Sequence, residues 1–396
     1  MTTECPMRKL SPPGVETGPA LERVEGFGEP VWVVRSFEVA RRILREPEAT
    51  RQAGFGADQV FRARGMRPPI LYLEGSQHRL QRRAAARFFA PAVIEGYRPM
   101  MEDLADRLVA RLRVDRATDL TRLAMRMAVQ VAAQVIGLTE SSVAGMSRRL
   151  GAFFGSNPLA DGRNPADLRR RILGGARTAH FFTADVRPAI RARRRHARED
   201  IVSQLIERGF SDVEILTECI TYAAAGMATT RELMSAAAWH LIDDADLLSR
   251  YRSGDVTGRR HLLEELLRVE PVVGYLRRRT TRPYLIDGPD GPTTIAAGAL
   301  VDLRLRVVNA DPVVAGADAT SVCPDRTLPP SVPTAVMSFG DGHHRCPGGP
   351  LAVMETEILL SRLFAREIVA DQPPQVHWNP VSQGYDLRRF PIRLAR

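Results

Sequence analysis

The sequence predicts a mainly helical protein with a small β portion, and three observations carry that reading. Alanine, leucine and arginine dominate the 396 residues, and only 6% are aromatic. Apolar residues recur with a helical rather than an alternating period. After Pro271 the pattern changes: "YLIDGPDGPTTIAAGALV" (Tyr284–Val301) reads as strands joined by a glycine-proline turn, and strand-like segments also follow the final helix.

In chain order, residues 1–20 read as an irregular, Pro/Gly-rich lead-in. "VWVV" (Val31–Val34) suits a short strand, and "SFEVARRILRE" a helix capped by Ser36. Helices are predicted over 79–90, 93–113 and 119–136, the last stopped by Gly137. An arginine-laden helical stretch covers 165–209, and a long helix covers 211–242. Its middle, "TYAAAGMATTREL", is weak for a helix because of Gly226 and two threonines. "HLLEELLRVEP" is a shorter helix closed by Pro271, and a final helix runs from Pro350 to about Phe364. No repeat, low-complexity linker or composition break divides the chain, so residues 1–396 are expected to form one domain.

The formal charge is +10 and the pI about 10.1, which suits an acidic partner. Arginines are spread along the chain rather than gathered in an arm, so nucleic acid is not expected. High-GC codon usage would also enrich arginine. Cys5, Cys219, Cys323 and Cys346 lie far apart, showing neither a disulfide framework nor a paired metal knuckle. "MTTECPMRKLSPPG" holds no apolar run for a signal peptide or membrane anchor. A soluble cytoplasmic protein is expected.

The chemistry concentrates in "FGDGHHRCPGG", Phe339–Gly349. Cys346 stands just before a predicted helix, where backbone N–H groups stabilise a thiolate. Gly340, Gly342, Gly348 and Gly349 let the backbone approach closely, and Phe339 can wall off one side. That suits a single soft ligand to an iron held by a macrocycle. His343, His344 and Cys346 could start a zinc site, but four ligands are needed and no second cluster is visible. A Cys–His catalytic pair lacks an evident third residue.

This loop resembles the haem signature of the cytochrome P450 family, Phe-Gly-x-Gly-x-His-x-Cys-x-Gly. Phe339, Gly340, Gly342, His344, Cys346 and Gly348 match it in full, and "LAVME" continues as the family does. The resemblance covers most of the chain. It implies the cytochrome P450 fold, with haem b (iron protoporphyrin IX) between the long central helix and the cysteine loop, and Cys346 on the iron. It makes "EELLR" a buried structural pair, Glu265 with Arg268, joined by Arg326 of "CPDR". His78 and Arg82 of "HRLQR", Arg279 of "RRRTTR" and His344 become propionate partners; Arg277 or Arg278 could replace Arg279. Residues 54–75 would form one pocket wall, and Phe153 to Arg195 its roof.

In the central helix the resemblance assigns Ala225, Gly226 and Thr229 to the oxygen face. The acid that the family usually carries before the threonine pair is replaced by Ala228. A substrate group, ordered water or Glu232 could complete the proton relay. The implied activity is NAD(P)H-dependent hydroxylation, or a related oxidation, of a small organic molecule in secondary metabolism. Ferredoxin and ferredoxin reductase would be its electron donors, and the substrate could be carrier-protein-bound. The alternatives are a nitric oxide reductase or a peroxide-dependent oxidase, and more remotely a non-catalytic haem or zinc protein.

Overall fold

Ser211 opens the longest helical run by a reciprocal cap: its hydroxyl accepts from the Glu214 N–H while the Glu214 side chain accepts from the Ser211 N–H. In the computed structural model this run is an α-helix over Asp212–Ala223, a π turn over Ala224–Ala228 and an α-helix over Thr229–Asp243. The π turn falls on the weak Gly226 stretch, where an extra residue is accommodated at least cost. The structure describes residues 7, 9–10, 17–26, 29–57, 66–154, 165–379 and 382–395.

Around this central helix pack Leu120–Ile136, which ends at Gly137 with φ 99°, and the final helix Gly349–Phe364. Met127, Val131, Met234, Leu241, Ile358 and Leu363 are buried in the apolar core they share. A second, smaller core lies under a five-stranded sheet. Its spatial order is Leu21–Gly26, Glu29–Val34, Leu300–Arg304, Tyr275–Thr280 and Thr50–Gln52. Glu29–Val34 runs parallel to Leu300–Arg304, with Val31 opposite Leu300. The predicted glycine-proline turn joins Tyr284–Gly288 to Gly291–Ile295 as an antiparallel hairpin.

Several expected elements differ. Ser36 precedes the Phe37–Arg45 helix, but its side chain makes no cap bond. Asp311 supplies the cap instead, its Oδ2 accepting from the Phe37 N–H at 2.8 Å. The predicted helix 93–113 breaks into Pro91–Gly96 and Arg98–Val109, because Pro99 has no N–H to continue the ladder. The stretch 165–209 divides into Pro165–Phe181, a π turn, Arg187–Arg195 and Ile201–Glu207. Asp200 caps the last of these by accepting from Ser203 N–H at 2.8 Å. Helices Val143–Phe154 and Ala245–Ser253 were not anticipated. The lead-in gives way to strand at Leu21; its residues 1–6, 8 and 11–16 lie outside the described residues. Cys219 and Cys346 are free, whereas Cys323 is disulfide-bonded, which the spacing did not show; Cys5 lies outside the described residues. Among the described residues no helix is long and apolar enough to cross a membrane.

Candidate active site

Gly340 and Gly342 both hold positive φ, at 68° and 65°, and bend the chain ahead of Cys346. A Cβ on Gly342 would lie 2.0 Å from the Leu44 carbonyl oxygen, so only glycine passes against the first helix. Asp341 ties the loop there through Arg45, at 2.9 Å. The Cys346 N–H donates to the Phe339 carbonyl at 2.8 Å, closing the turn. The Phe339 ring lies against Gly349, where a Cβ would sit 3.2 Å from it.

The Cys346 sulfur accepts from the N–H groups of Gly348 and Gly349 at the head of the final helix. Protein surrounds the residue, yet its surface opens onto a deep cavity. Burial pushes the thiol up, while these N–H groups, Arg82 and Arg345 oppose the shift. The cavity measures about 1960 Å³. The π turn and the first residue of the next helix line the same cavity, through Ala225, Gly226, Ala228 and Thr229.

Cationic and imidazole groups converge at one side. His78 and Arg82, four apart on the Gly75–Ala86 helix, both line the cavity. Arg82 also donates to the Arg345 carbonyl. His78 stacks on His344 with ring centres 4.1 Å apart. Burial first, then the neighbouring His344, His343 and Arg82, lower His78 to about 3. Glu74 Oε2 meets Nε2 of His343 at 3.1 Å and of His344 at 3.3 Å. Burial raises the Glu74 carboxyl, but these bonds together hold it below the usual range. Glu74, His343 and His344 could hold a metal ion, but Cys346 does not join them. Among the described residues, a zinc arrangement around the cysteine is therefore not formed.

The arginine register needs correction. Arg279 pairs with Glu29 at 2.8 Å and also donates to the Gly298 carbonyl, away from the cavity. Arg278 lines the cavity instead. Successive strand residues face opposite sides, so Leu276 and Arg278 share the cavity side of Tyr275–Thr280, and Arg277 and Arg279 do not. Arg278 donates to Gln52 and is buried, its Nε without a partner among the described residues. Burial lowers it to about 10.

Gly226 faces open space: a Cβ there would meet only Ala132, at 3.9 Å. The Thr229 hydroxyl donates to the Ala225 carbonyl across the π turn. Glu232 is already committed, with Arg231 Nε at 2.6 Å and Leu387 N–H at 2.8 Å, and burial pushes it up to about 7. Away from the cavity, Glu265 bonds Arg268 at 2.6 and 2.7 Å and Arg326 at 3.0 Å, all three buried as side chains.

Phe55 and the run Met66–Tyr72 form the expected wall; 58–65 lie outside the described residues. The roof differs. Ala144, Ser147, Arg148 and Gly151 line it, and no described side chain from 172 to 195 does, because Pro165–Phe181 packs behind Val143–Phe154. Residues 155–164 also lie outside the described set. Sequence reasoning missed Gln52, Glu74, Tyr222 and Glu355, which the fold brings to this site.

The family description "Cytochrome P450" matches residues 260–380, which contain the buried Glu265–Arg268 pair and the whole cysteine loop. In this region and in its fold the chain is similar to the cytochrome P450 family. It is 26% identical to the cytochrome P450 monooxygenase PikC of Streptomyces venezuelae, over 96% of this chain and 89% of that protein. It is likewise 26% identical to the biotin biosynthesis cytochrome P450 of Bacillus subtilis, over 75% of this chain and 72% of the relative. The structure of P450BioI in complex with an acyl carrier protein ligated to hexadec-9Z-enoic acid has the same fold. It aligns with a TM-score of 0.78 at 22% identity, covering 95% of each chain. By its likeness to these monooxygenases the chain is an oxidoreductase with haem b as its cofactor. Its residues fit that group: a sulfur under backbone N–H groups, a void beside it, and Arg82, Arg278, His78 and His344 among the residues that line that void.

Proposed function

We propose that the chain is a single cytochrome P450 domain that holds haem b through Cys346 and oxidises a small organic molecule. The observation that carries this is the Cys346 sulfur, bonded by two helix-terminal N–H groups, in a cavity that Gly226 and Thr229 also line. A haem bound there with a thiolate ligand supplies the electron density that favours O–O cleavage. Arg82, Arg278, His78 and His344 would hold its two carboxylates, since embedded anions need charged or hydrogen-bonding partners. Phe339, Gly340 and Gly348 shape the sulfur's turn, and Gly226 keeps its part of the wall open. Thr229 presents a hydroxyl there, and Ile70, Leu71 and Leu276 help to exclude water. Glu265, Arg268 and Arg326 hold the surrounding loops, Arg268 by donating to the carbonyls of Asn309, Ala319 and Ser321.

Electrons come from a ferredoxin and its reductase with NAD(P)H, the basic chain matching an acidic donor. Arg67, Arg122, Arg126 and Arg148 also line the cavity and favour an anionic or carrier-tethered substrate of secondary metabolism. That agrees with a structural neighbour's binding of acyl carrier protein. We place the enzyme in the cytoplasm; alkylation of the protein in fresh extract, read as a mass shift, checks this against the Cys323 disulfide. A second reading, nitric oxide reduction or peroxide-driven oxidation, is favoured by Ala228 and by the commitment of Glu232 to Arg231.

The ferrous–carbon monoxide spectrum tests the proposal. A strongly red-shifted Soret band, abolished in Cys346→Ala, is expected. A colourless protein, or a band that survives the substitution, overturns it. Turnover with ferredoxin and NAD(P)H, against nitric oxide or peroxide, separates the two readings.

A further inference from the structure

A second, smaller cleft lies between the helices Val143–Phe154 and Pro165–Phe181. It measures about 270 Å³ and is lined by Gly145, Arg148, Arg149, Arg177 and His180, with no carboxylate among them. Gly145 is three and four residues from Arg148 and Arg149, so the three share a helix face, and Arg177 and His180 lie three apart on the other helix. A Cβ on Gly145 would lie 2.9 Å from Arg149 Nη1, so any larger residue would crowd the cleft beside that guanidinium. Arg149 is neutralised by Asp185, Nε to Oδ2 at 2.7 Å. Arg148 and Arg177 have no ion pair among the described residues, which leaves two positive charges in the cleft uncompensated.

A concave site lined by one sign of charge focuses its field and concentrates an anion. The cleft is smaller than the roughly 300–1,000 Å³ that encloses a whole organic ligand, so it suits a charged group rather than a molecule's body. Guanidinium forks match phosphate oxygens. A phosphate monoester carries about −1.5 to −2 at neutral pH and three acceptor oxygens, which balances Arg148 and Arg177; a carboxylate brings one charge and two oxygens. Arg148 also lines the main cavity, as do Ala144, Ser147 and Gly151 of its helix. One elongated molecule can therefore place its anion in the cleft and its body in the cavity that holds Cys346.

We infer that this cleft is a subsite for a phosphate monoester, and that the substrate carries such a group at the end remote from the position oxidised. Arg148 and Arg177 balance its charge, and Arg149 and His180 add hydrogen-bond donors for its oxygens. The phosphate is bound and not transferred; it fixes which part of the organic body lies near Cys346. The inference deepens, and rests on, the reading of the main cavity as the place of an anionic substrate.

The test titrates the haem-loaded full chain and its Arg148→Gln/Arg177→Gln double variant, by calorimetry, with dodecyl phosphate, dodecanoate and dodecanol. Arg148 is exposed and Arg177 half-buried, so the double variant should melt with the wild type. At low salt the wild type should bind dodecyl phosphate about tenfold or more tighter than either other probe. The double variant should lose that advantage and bind dodecanol as before. Equal binding of all three probes by the wild type overturns both the cleft and the anionic-substrate reading. A phosphate advantage that survives in the double variant, or that dodecanoate matches in the wild type, overturns the cleft alone. In that case Arg67, Arg122 and Arg126 remain to hold the anion.

Discussion

Glu265 and Arg268 meet through two parallel hydrogen bonds, Nε to Oε2 at 2.6 Å and Nη2 to Oε1 at 2.7 Å, with both side chains buried. Arg268 also donates to three loop carbonyls, so its loss strands acceptors as well as a charge. Arg268→Ala should destabilise the protein by about 3–5 kcal/mol. Chemical denaturation of the purified variant, or its loss from the soluble fraction, checks this.

Arg278 and Arg279 are neighbours in sequence with opposite fates in the fold. Arg279→Ala removes a partly exposed pair with Glu29 and should cost no more than about 1 kcal/mol, with haem retention unchanged. Arg278→Ala removes the cation facing the cavity and should leave a largely haem-free protein. The ratio of Soret to protein absorbance after gel filtration distinguishes them. Equal retention would reject the corrected register.

Two glycines near the cavity should answer differently to alanine. Gly342 holds φ 65° with a carbonyl oxygen 2.0 Å from its would-be Cβ, so Gly342→Ala should cost about 3 kcal/mol or more. Gly226 has free space, and Gly226→Ala should change stability by no more than about 1 kcal/mol. Thermal melts of the two variants read this directly.

Glu218 gives a pH prediction. Burial raises its carboxyl from an ordinary value near 4.5 to about 7. Between those values the folded chain binds more protons than the unfolded one, so this group lowers stability as pH rises, by at most about 1.4 kcal/mol per unit. The loss levels off above 7. Glu218→Gln keeps acceptors for Ile70 N–H and should stabilise the protein at pH 8 relative to wild type, but not at pH 4. Paired melts at both pH values check the difference, which also removes the parallel effect of Glu232.

The sequence made the cysteine loop legible because its chemistry is local: three glycines, two histidines and a thiol lie between Phe339 and Gly348. The central helix was legible from its period, and even its weak point coincides with the π turn; its Ser211 cap was not read from the sequence. Arg278 was harder because three successive arginines hide the alternation of a strand whose facing is set by Leu300–Arg304 beside it. Glu74 and Gln52 reach the site from segments more than 200 residues away from the loop, and Asp311 caps a helix 274 residues upstream. No local pattern carries such contacts. Glu355 did leave a trace, as a charged residue inside the apolar run "PLAVMETEILL".

The parallel pairing of Glu29–Val34 with Leu300–Arg304 bears on how the newborn chain matures. A ribosome adding about 5–20 residues per second makes the first strand wait on the order of ten seconds or more for its partner. During that wait the helices between Gly75 and Asp243 can gather through nearer contacts. The strand bearing Arg278 is anchored on Leu300–Arg304, and the Cys346 loop emerges later still. Capture of the prosthetic group is therefore a late event in synthesis, and chains released early would expose a half-built hollow to chaperones and proteases.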